Sequence, residues 1–595
     1  MTTSTSPAAA TASISTAATA ATIPPSPSPL PRYSLLATTR TIFDGLIADP
    51  AIPIPAAARA KAAVFDSLPI LPCVFKECET VAALKGVEGA VAAAIAEDRY
   101  GADDAAVRND AVSIDLQHAT MFLFMAYLAS VDGYTKLQPE VKKKLVDTDF
   151  YAAQSDPYRR MSANLYRTKD NKFFHIHGSL DASTTLEMIG LPSHIPGFTD
   201  YDAIISKIEG AVIRYTAAEL EAMNAEHKQA GVTALPRDEF LATPHGALLA
   251  GLPIWESTSL ESTTPPTAWP STPSNTGQPR QILDGIKVLE LCRIIAGPTI
   301  ARILAEYGAD VLKVTGPNLS DVPFFQVDGN MGKRTCTLDL KSPHGRAIFE
   351  KLVADADVIV DGYRTGAFAR LGYPPSYFAS VAKARGRGFV YVSENCFGFK
   401  GEWAHRPGWQ QIADCVSGLA WAHGTSMGHN EPVIPPFPMS DYGTGCIGAV
   451  AALAALHDRA TKGGSYWATT SLVQYDILLM NQGFYPNSLW HRIRDMHDPA
   501  VRELHYYDSV DRISATALQS CIKLRPDVFA EAFSTAGDEL SDEEYNAKSR
   551  YMEKHAAPGF NGTIKVLKPV VHMTSAANAF KHASRPNGYD EPVWL

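Results

Sequence analysis

Between residues 282 and 395 the chain alternates short apolar runs with amphipathic ones. Residues 286–291 form an apolar run with a β-branched start. Ala296-Gly297-Pro298 follows, then Ile300, Ile303, Leu304 and Tyr307 at helical spacing, a stop at Gly308, and a second apolar run at 311–314. This is the pattern of a β-α-β crossover feeding a parallel sheet. It continues with a predicted helix at 345–353, a strand at 357–360, a helix at 376–385 and a strand at 388–393. The expected fold class is therefore α/β. Such a sheet binds ligands at the carboxyl ends of its strands, which directs attention to the loops after Leu291, Val314, Val360 and Ser393. Further along, helical spacing is expected at 500–504, 528–533 and 542–555.

Polar tracts divide the rest of the chain. Residues 1–33 are rich in Ala, Ser, Thr and Pro, with no Lys or Arg before Arg32. They lack the basic start of a secretory signal and the arginines of a mitochondrial presequence, so a disordered tail and a cytoplasmic protein are expected. A second tract at 256–280 reads as a linker between lobes 34–255 and 281–595. The lobes echo each other. Gly86-Val87-Glu88-Gly89-Ala90-Val91 and the later Glu97-Asp98-Arg99 parallel Gly445-Cys446-Ile447-Gly448-Ala449-Val450 and His457-Asp458-Arg459. This predicts a degenerate tandem repeat, with Ala82 standing where the second copy has Asp441.

Length and charge narrow the function. At 595 residues the chain exceeds one hydrophobic core. Its net charge of -10, without a Lys/Arg stripe, argues against nucleic acid. The eight cysteines include no Cys-x-x-Cys pair, so neither a metal site nor a disulfide framework is expected. No apolar run approaches the roughly 18 residues of a membrane span, so no membrane partner is expected.

Several motifs then occur in a fixed order. They are Leu283-x-Gly285-Ile286-x-Val288-Leu289, Ala296-Gly297-Pro298, the segment 308–314, and Gly332-Lys333-Arg334 with Leu338-Asp339-Leu340-Lys341. Segment 356–360, the Gly408-Trp409-Gln410-Gln411 segment and Asp441-x-Gly443-x-Gly445 complete the set. Together they resemble the class III CoA-transferase (CaiB/BaiF) family. The resemblance implies a Rossmann-like parallel-sheet domain with a smaller α+β domain. Segments 166–177, 189–192, 215–220 and 230–236 are similar to that small domain, placing it within 160–255. Segment 559–570 is similar to the family's closing stretch. Family members are generally interlocked dimers, so an internal pseudo-dimer or a homodimer is implied.

The resemblance places the family's catalytic aspartate on Asp441, before an Ala-rich helix. On local sequence alone an Asp there is an N-cap. The family reading makes it a nucleophile that accepts CoA from an acyl-CoA and passes it to a carboxylic acid, with no permanently bound cofactor. Backbone N–H groups around Gly443 and Gly445 are then expected to hold the oxyanion. CoA contacts are implied at Leu338, Lys341, Gly362, Tyr363, Arg364, Arg370, Leu371 and Arg406. Two features depart from the family: Thr315-Gly316-Pro317 replaces a Glu-Arg-Pro, removing one Arg, and no glycine-rich lid is evident. A racemase of 2-methylacyl-CoA needs a basic His where this chain has Trp409, and His405 reads as a surface residue. A non-catalytic CoA-binding protein is the remaining alternative.

Overall fold

The structure is a computed structural model describing residues 33–59, 61, 63–66, 71–101, 107, 111–271, 280–534, 537–574 and 576–595. The predicted tail lies almost entirely outside the described residues, as does 272–279 of the predicted linker. A long helix, α1 (Glu77–Tyr100), is buried over most of its length. Strand β1 (Glu256–Glu261) follows, then β2 (Lys287–Leu291), helix α2 (Ala296–Glu306) and β3 (Asp310–Thr315). Next come β4 (Lys333–Thr337), β5 (Val358–Asp361) and β6 (Val390–Asn395). Helices α3 (Gln410–Ser417) and α4 (Met439–Thr461), strand β7 (Ser465–Ser471) and helix α5 (Leu472–Asn481) complete the part that builds the site.

Seven strands form one sheet in the order β4-β3-β2-β5-β6-β7-β1. All pair in parallel except β1, which adds antiparallel to β7. The order reverses between β2 and β5, and that switch opens a crevice above their carboxyl ends. Val288, Leu289, Val311, Leu312, Ile359 and Val392 are fully buried, as expected for a parallel sheet covered on both faces. β1 occupies part of the segment read as a linker. Its sequence, Glu-Ser-Thr-Ser-Leu-Glu, is polar because the strand is a partly exposed edge.

Charges are also buried inside the fold. Lys333 Nζ lies 2.6 Å from Glu290 Oε2 and donates to the Pro298 carbonyl at 2.7 Å, tying the first turn of α2 to the sheet. Helix α4 is long and apolar enough to cross a membrane by length and composition, but it is the central helix of the core. Its glycines permit close crossings: a Cβ on Gly445 or Gly448 would strike Thr299 or Ile300 of α2.

Residues Leu35–Leu595 form one compact unit. Helix α1 packs on α4 through buried polar groups. Lys85 Nζ lies 2.8 Å from Glu88 Oε2, and the Tyr307 hydroxyl donates to Glu88 Oε1 at 3.0 Å. The Cys446 thiol also donates to Glu88. Strands Ala163–Arg167, Phe173–His177 and Val232–Thr233 form a separate antiparallel sheet. The predicted helix 542–555 is corrected: the helix ends at Lys548, and Met552–Ala557 is a strand paired with Gly562–Leu567. All eight cysteines are buried and free.

Candidate active site

Helix α4 begins at Met439 after Pro438, which puts Asp441 in its first turn and corrects the N-cap placement. Among the described residues nothing hydrogen-bonds the Asp441 carboxylate. Two cavities meet at this side chain. They share Ile294, Ile295, Trp409 and Asp441 and are otherwise lined by different residues.

The first cavity lies over the carboxyl ends of the sheet. Gly362, Tyr363 and Arg364, from the loop after β5, line it with Arg406 and Asp441. Asp361 fixes this loop by accepting from the Tyr363 N–H at 3.0 Å and the Tyr391 hydroxyl at 2.6 Å. Arg406 is already engaged, donating to Glu221 Oε2 at 2.7 Å and to the Gly231 carbonyl. Leu338, Lys341, Arg370 and Leu371 lie outside both cavities. Leu338 is a core residue, Leu371 is half-buried against that core, and Lys341 and Arg370 are exposed.

Two residues of this cavity went unread in the sequence. Arg293, in the loop after β2, supplies a guanidinium where the loop after β3 has none. Glu394, near the end of β6, turns a carboxyl toward the same space. Burial first, then Asp441 and Asp361, push its pKa up to about 8. Both sit after strand ends singled out by the apolar pattern, so position was the available signal.

The second cavity has apolar walls from Val322, Phe325, Phe437 and Val510, and Lys136, Arg160 and Asp511 among its polar groups. Ile294 and Phe437 adopt left-handed backbones (φ 71° and 67°) beside Asp441. A β-branched residue there is an outlier costing about 1–3 kcal/mol, of the kind that clusters at functional sites. The Ile294 N–H donates to Asp321 Oδ1 and the Phe437 N–H to Ser514 Oγ, which hold both turns.

Gly443 and Gly445 do not serve as expected. Both lie inside α4, where the helical i to i-4 ladder occupies their N–H groups. They are packing glycines: a Cβ on Gly443 would strike the Tyr475 ring of α5. The N–H groups left free are those of the first turns of α4 and of α2, whose Ala296 lines the sheet-side cavity.

Burial first, then the Asp476 carboxylate, raise Asp441 from its ordinary 3.8 to about 8. The helix N-terminus opposes that shift by favouring the anion. The folded state therefore keeps a proton that the unfolded chain releases near pH 3.8. This group's contribution to stability falls as pH climbs from 3.8 to 8. A nucleophilic Asp441 gives kcat/KM a rising limb that levels above about pH 8, and Asp476→Asn moves the limb to lower pH. A limb unmoved by Asp476→Asn in pH-rate profiles contradicts this assignment.

The racemase alternative lacks its base. Trp409 occupies the expected place and donates to Ser179 Oγ at 2.9 Å. His177, which lines the second cavity, accepts from the Ser179 N–H at Nδ1, its Nε2 lies 3.1 Å from Gln411 Oε1, and burial lowers its pKa to about 3. His405 is exposed. Among the described residues one group has metal-ligand composition, His429, Glu431 and His505, and it lines neither cavity.

The model of CoA-transferase family III matches residues 283–519. The acetyl-coenzyme A transferase nodX of Hypoxylon pulicicidum is 32% identical over 537 residues, spanning 88% of this chain and 86% of that protein. The chain belongs to CoA-transferase family III. An acyl-CoA transferase of Gibberella moniliformis is 33% identical over 73% of this chain and 76% of its own length. The succinyl-CoA--L-malate CoA-transferase beta subunit of Chloroflexus aurantiacus is 29% identical over 37% of this CoA-transferase and 56% of its own length. Among solved structures, a CAIB/BAIF family protein from Brucella suis has a TM-score of 0.36 and 22% identity, covering 52% of this chain and 97% of that one.

Proposed function

We propose that this CoA-transferase moves CoA from an acyl-CoA to a carboxylic acid through a covalent intermediate on Asp441. The observation that carries the reading is that an unpartnered Asp441 carboxylate stands where two differently lined cavities meet. The Asp441 carboxylate attacks the thioester carbonyl, the C–S bond breaks, and an aspartyl acyl anhydride and CoA thiolate result. The thiolate attacks the aspartyl carbonyl, releases the donor's acid and leaves Asp441 as a CoA thioester. The acceptor carboxylate attacks that thioester, and the freed thiolate then takes the new acyl carbonyl, restoring Asp441. No proton is gained or lost overall.

CoA occupies the sheet-side cavity in this reading, with Arg293 and Arg364 beside its phosphates and exposed Arg370 toward its nucleotide end. The N-terminal amides of α2 at Ala296 and Gly297 replace Gly443 and Gly445 as oxyanion donors. Glu394, protonated at neutral pH, adds a donor next to the thiolate. The acyl and acceptor groups occupy the second cavity.

The sheet is Rossmann-like in this reading, since its six parallel strands follow the order 3-2-1-4-5-6 when counted along the chain. The tandem origin is supported by matching series: α1 is followed by a strand and a helix, Val112–Asp115 and Leu116–Phe122, as α4 is followed by β7 and α5. Gly89 and Gly448, equivalent in the echo, each abut the strand that follows their own helix, at Val112 and Thr470. This reading implies an internal pseudo-dimer or a homodimer.

The test is exchange of a labelled acid into its own acyl-CoA in the absence of a second acid. A covalent CoA-enzyme supports this exchange, and a direct single-step transfer from the acyl-CoA to the labelled acid gives the same exchange but leaves no labile CoA on the protein. Recovery of CoA-loaded protein after gel filtration therefore accompanies exchange, and its absence defeats the reading.

A further inference from the structure

Away from both cavities, two loops meet through a pair of imidazoles and a carboxylate. His429 follows the helix Leu419–Met427, which ends at Gly428 with φ 100°. Glu431 comes two residues after His429, and His505 follows the short 3-10 turn Pro499–Glu503. One ligand atom from each of the three lies within 4.8 Å of the others. Cysteine spacing could not reveal this group, because it contains no cysteine and His505 comes 74 residues after Glu431.

The surroundings fix how these side chains are presented. His429 Nε2 lies 2.8 Å from the Arg502 carbonyl. A carbonyl only accepts, so Nε2 carries the ring proton and Nδ1 keeps a lone pair for a cation. Metal-ligating histidines are oriented by this kind of bond from the other ring nitrogen. His505 Nδ1 lies 2.6 Å from Glu431 Oε1, and the His505 backbone N–H donates to Asp508 Oδ2 at 2.8 Å. Its ring stacks on Tyr507, 5.4 Å between centroids. The Glu431 side chain is 11% exposed and that of His505 38%, so the group is open to water on one side. Among the described residues Glu431 Oε2 accepts no hydrogen bond. The exposed Arg167 guanidinium, 3.8 Å from it, rests over the Tyr506 and Phe173 rings instead.

We infer that His429, Glu431 and His505 bind one transition-metal dication of the zinc type. Two imidazoles and one carboxylate suit such a cation, whereas Ca²⁺ and Mg²⁺ take oxygen ligands. A cation about 2.0–2.1 Å from each donor replaces the proton between His505 and Glu431, and their 2.6 Å separation opens to about 3.3 Å to admit it. Water completes the coordination from the open side. The cation is a clip and takes no part in the transfer chemistry. From His429 the chain runs on to Phe437, and from His505 it runs on to Ser514. Those two residues line the second cavity and are joined by the Phe437 N–H donating to Ser514 Oγ at 3.1 Å. The clip therefore fastens, at their far ends, two segments that build one cavity wall.

The test is calorimetric titration of Zn²⁺ into the full chain after treatment with a chelator, at pH 7.5. One equivalent binds, and the unfolding midpoint rises with the Zn²⁺ concentration, while Mg²⁺ leaves it unmoved. His429→Ala and His505→Ala each weaken Zn²⁺ binding by about 100-fold or more, the upper end of what losing a mere supporting contact costs. Glu431→Gln weakens it by about tenfold or more. His505→Cys supplies a different zinc ligand at the same place and recovers much of the affinity lost in His505→Ala, which guards against misfolding as the cause. A wild-type chain that takes up no Zn²⁺, or one equivalent bound equally well by both alanine variants, overturns the site and leaves the group a hydrogen-bonded ion pair.

Discussion

Asp441→Asn is expected to lower kcat by about four to six orders of magnitude, the scale seen when a covalent nucleophile is removed. The amide is nearly isosteric, so the cavities, the first turn of α4 and CoA binding should survive. The loss then falls on kcat, with the affinity for CoA kept within a few-fold. Steady-state kinetics together with CoA binding on the same preparation check both halves. A variant retaining a tenth of wild-type kcat would remove Asp441 from the chemistry.

The second large effect concerns the contact between the two halves of the chain. Glu88→Ala removes the partner of fully buried Lys85 and an acceptor used by Tyr307 and Cys446. Breaking a buried pair by removing one member costs about 3–5 kcal/mol, because a charge is left without compensation. A large fall in the guanidinium unfolding midpoint is the expected result. Replacing both members, with Lys85→Met and Glu88→Leu together, is expected to recover most of the loss, since no charge then remains unpaired. A single variant as stable as the wild type would show that α1 and α4 do not depend on this group. The same seam bears on activity. The Tyr475 hydroxyl donates to Glu77 Oε2 of α1 at 2.5 Å, and the Tyr475 ring covers Gly443, two residues beyond Asp441. The N-terminal half therefore packs against the helix that carries Asp441, the proposed nucleophile.

Much of the sheet was legible because its signal is local. Strands β2, β3, β5 and β6 fall within two residues of their predicted bounds, since parallel strands buried on both faces are continuous apolar runs. The rule that ligands sit beyond the carboxyl ends of such strands pointed to the loop after Val360, and the family resemblance named Gly362, Tyr363 and Arg364 there, which line the sheet-side cavity. Edge strand β1 was missed because exposure makes its composition polar, like a linker's. The strand at Met552–Ala557 was missed although the Pro558-Gly559-Phe560-Asn561 turn after it, with Asn561 at φ 50°, carried a hairpin signal.

The site was legible only as far as chain neighbours build it. Asp441 is one turn from residues that identify it, whereas Lys136 and Arg160 meet Asp511 from 375 and 351 residues away. Gly443 and Gly445 looked like amide donors beside a nucleophile. What fixes their role is Tyr475 and Thr299, contacts that no local pattern announces.

The most direct test of the account is mass spectrometry of the purified protein after incubation with a panel of acyl-CoA thioesters, with hydroxylamine as trap. A hydroxamate or CoA adduct mapped to Asp441 in the wild type, and absent from Asp441→Asn, is the predicted result. Transfer of CoA with no adduct on Asp441, or an adduct on another carboxylate such as Glu394, would contradict it.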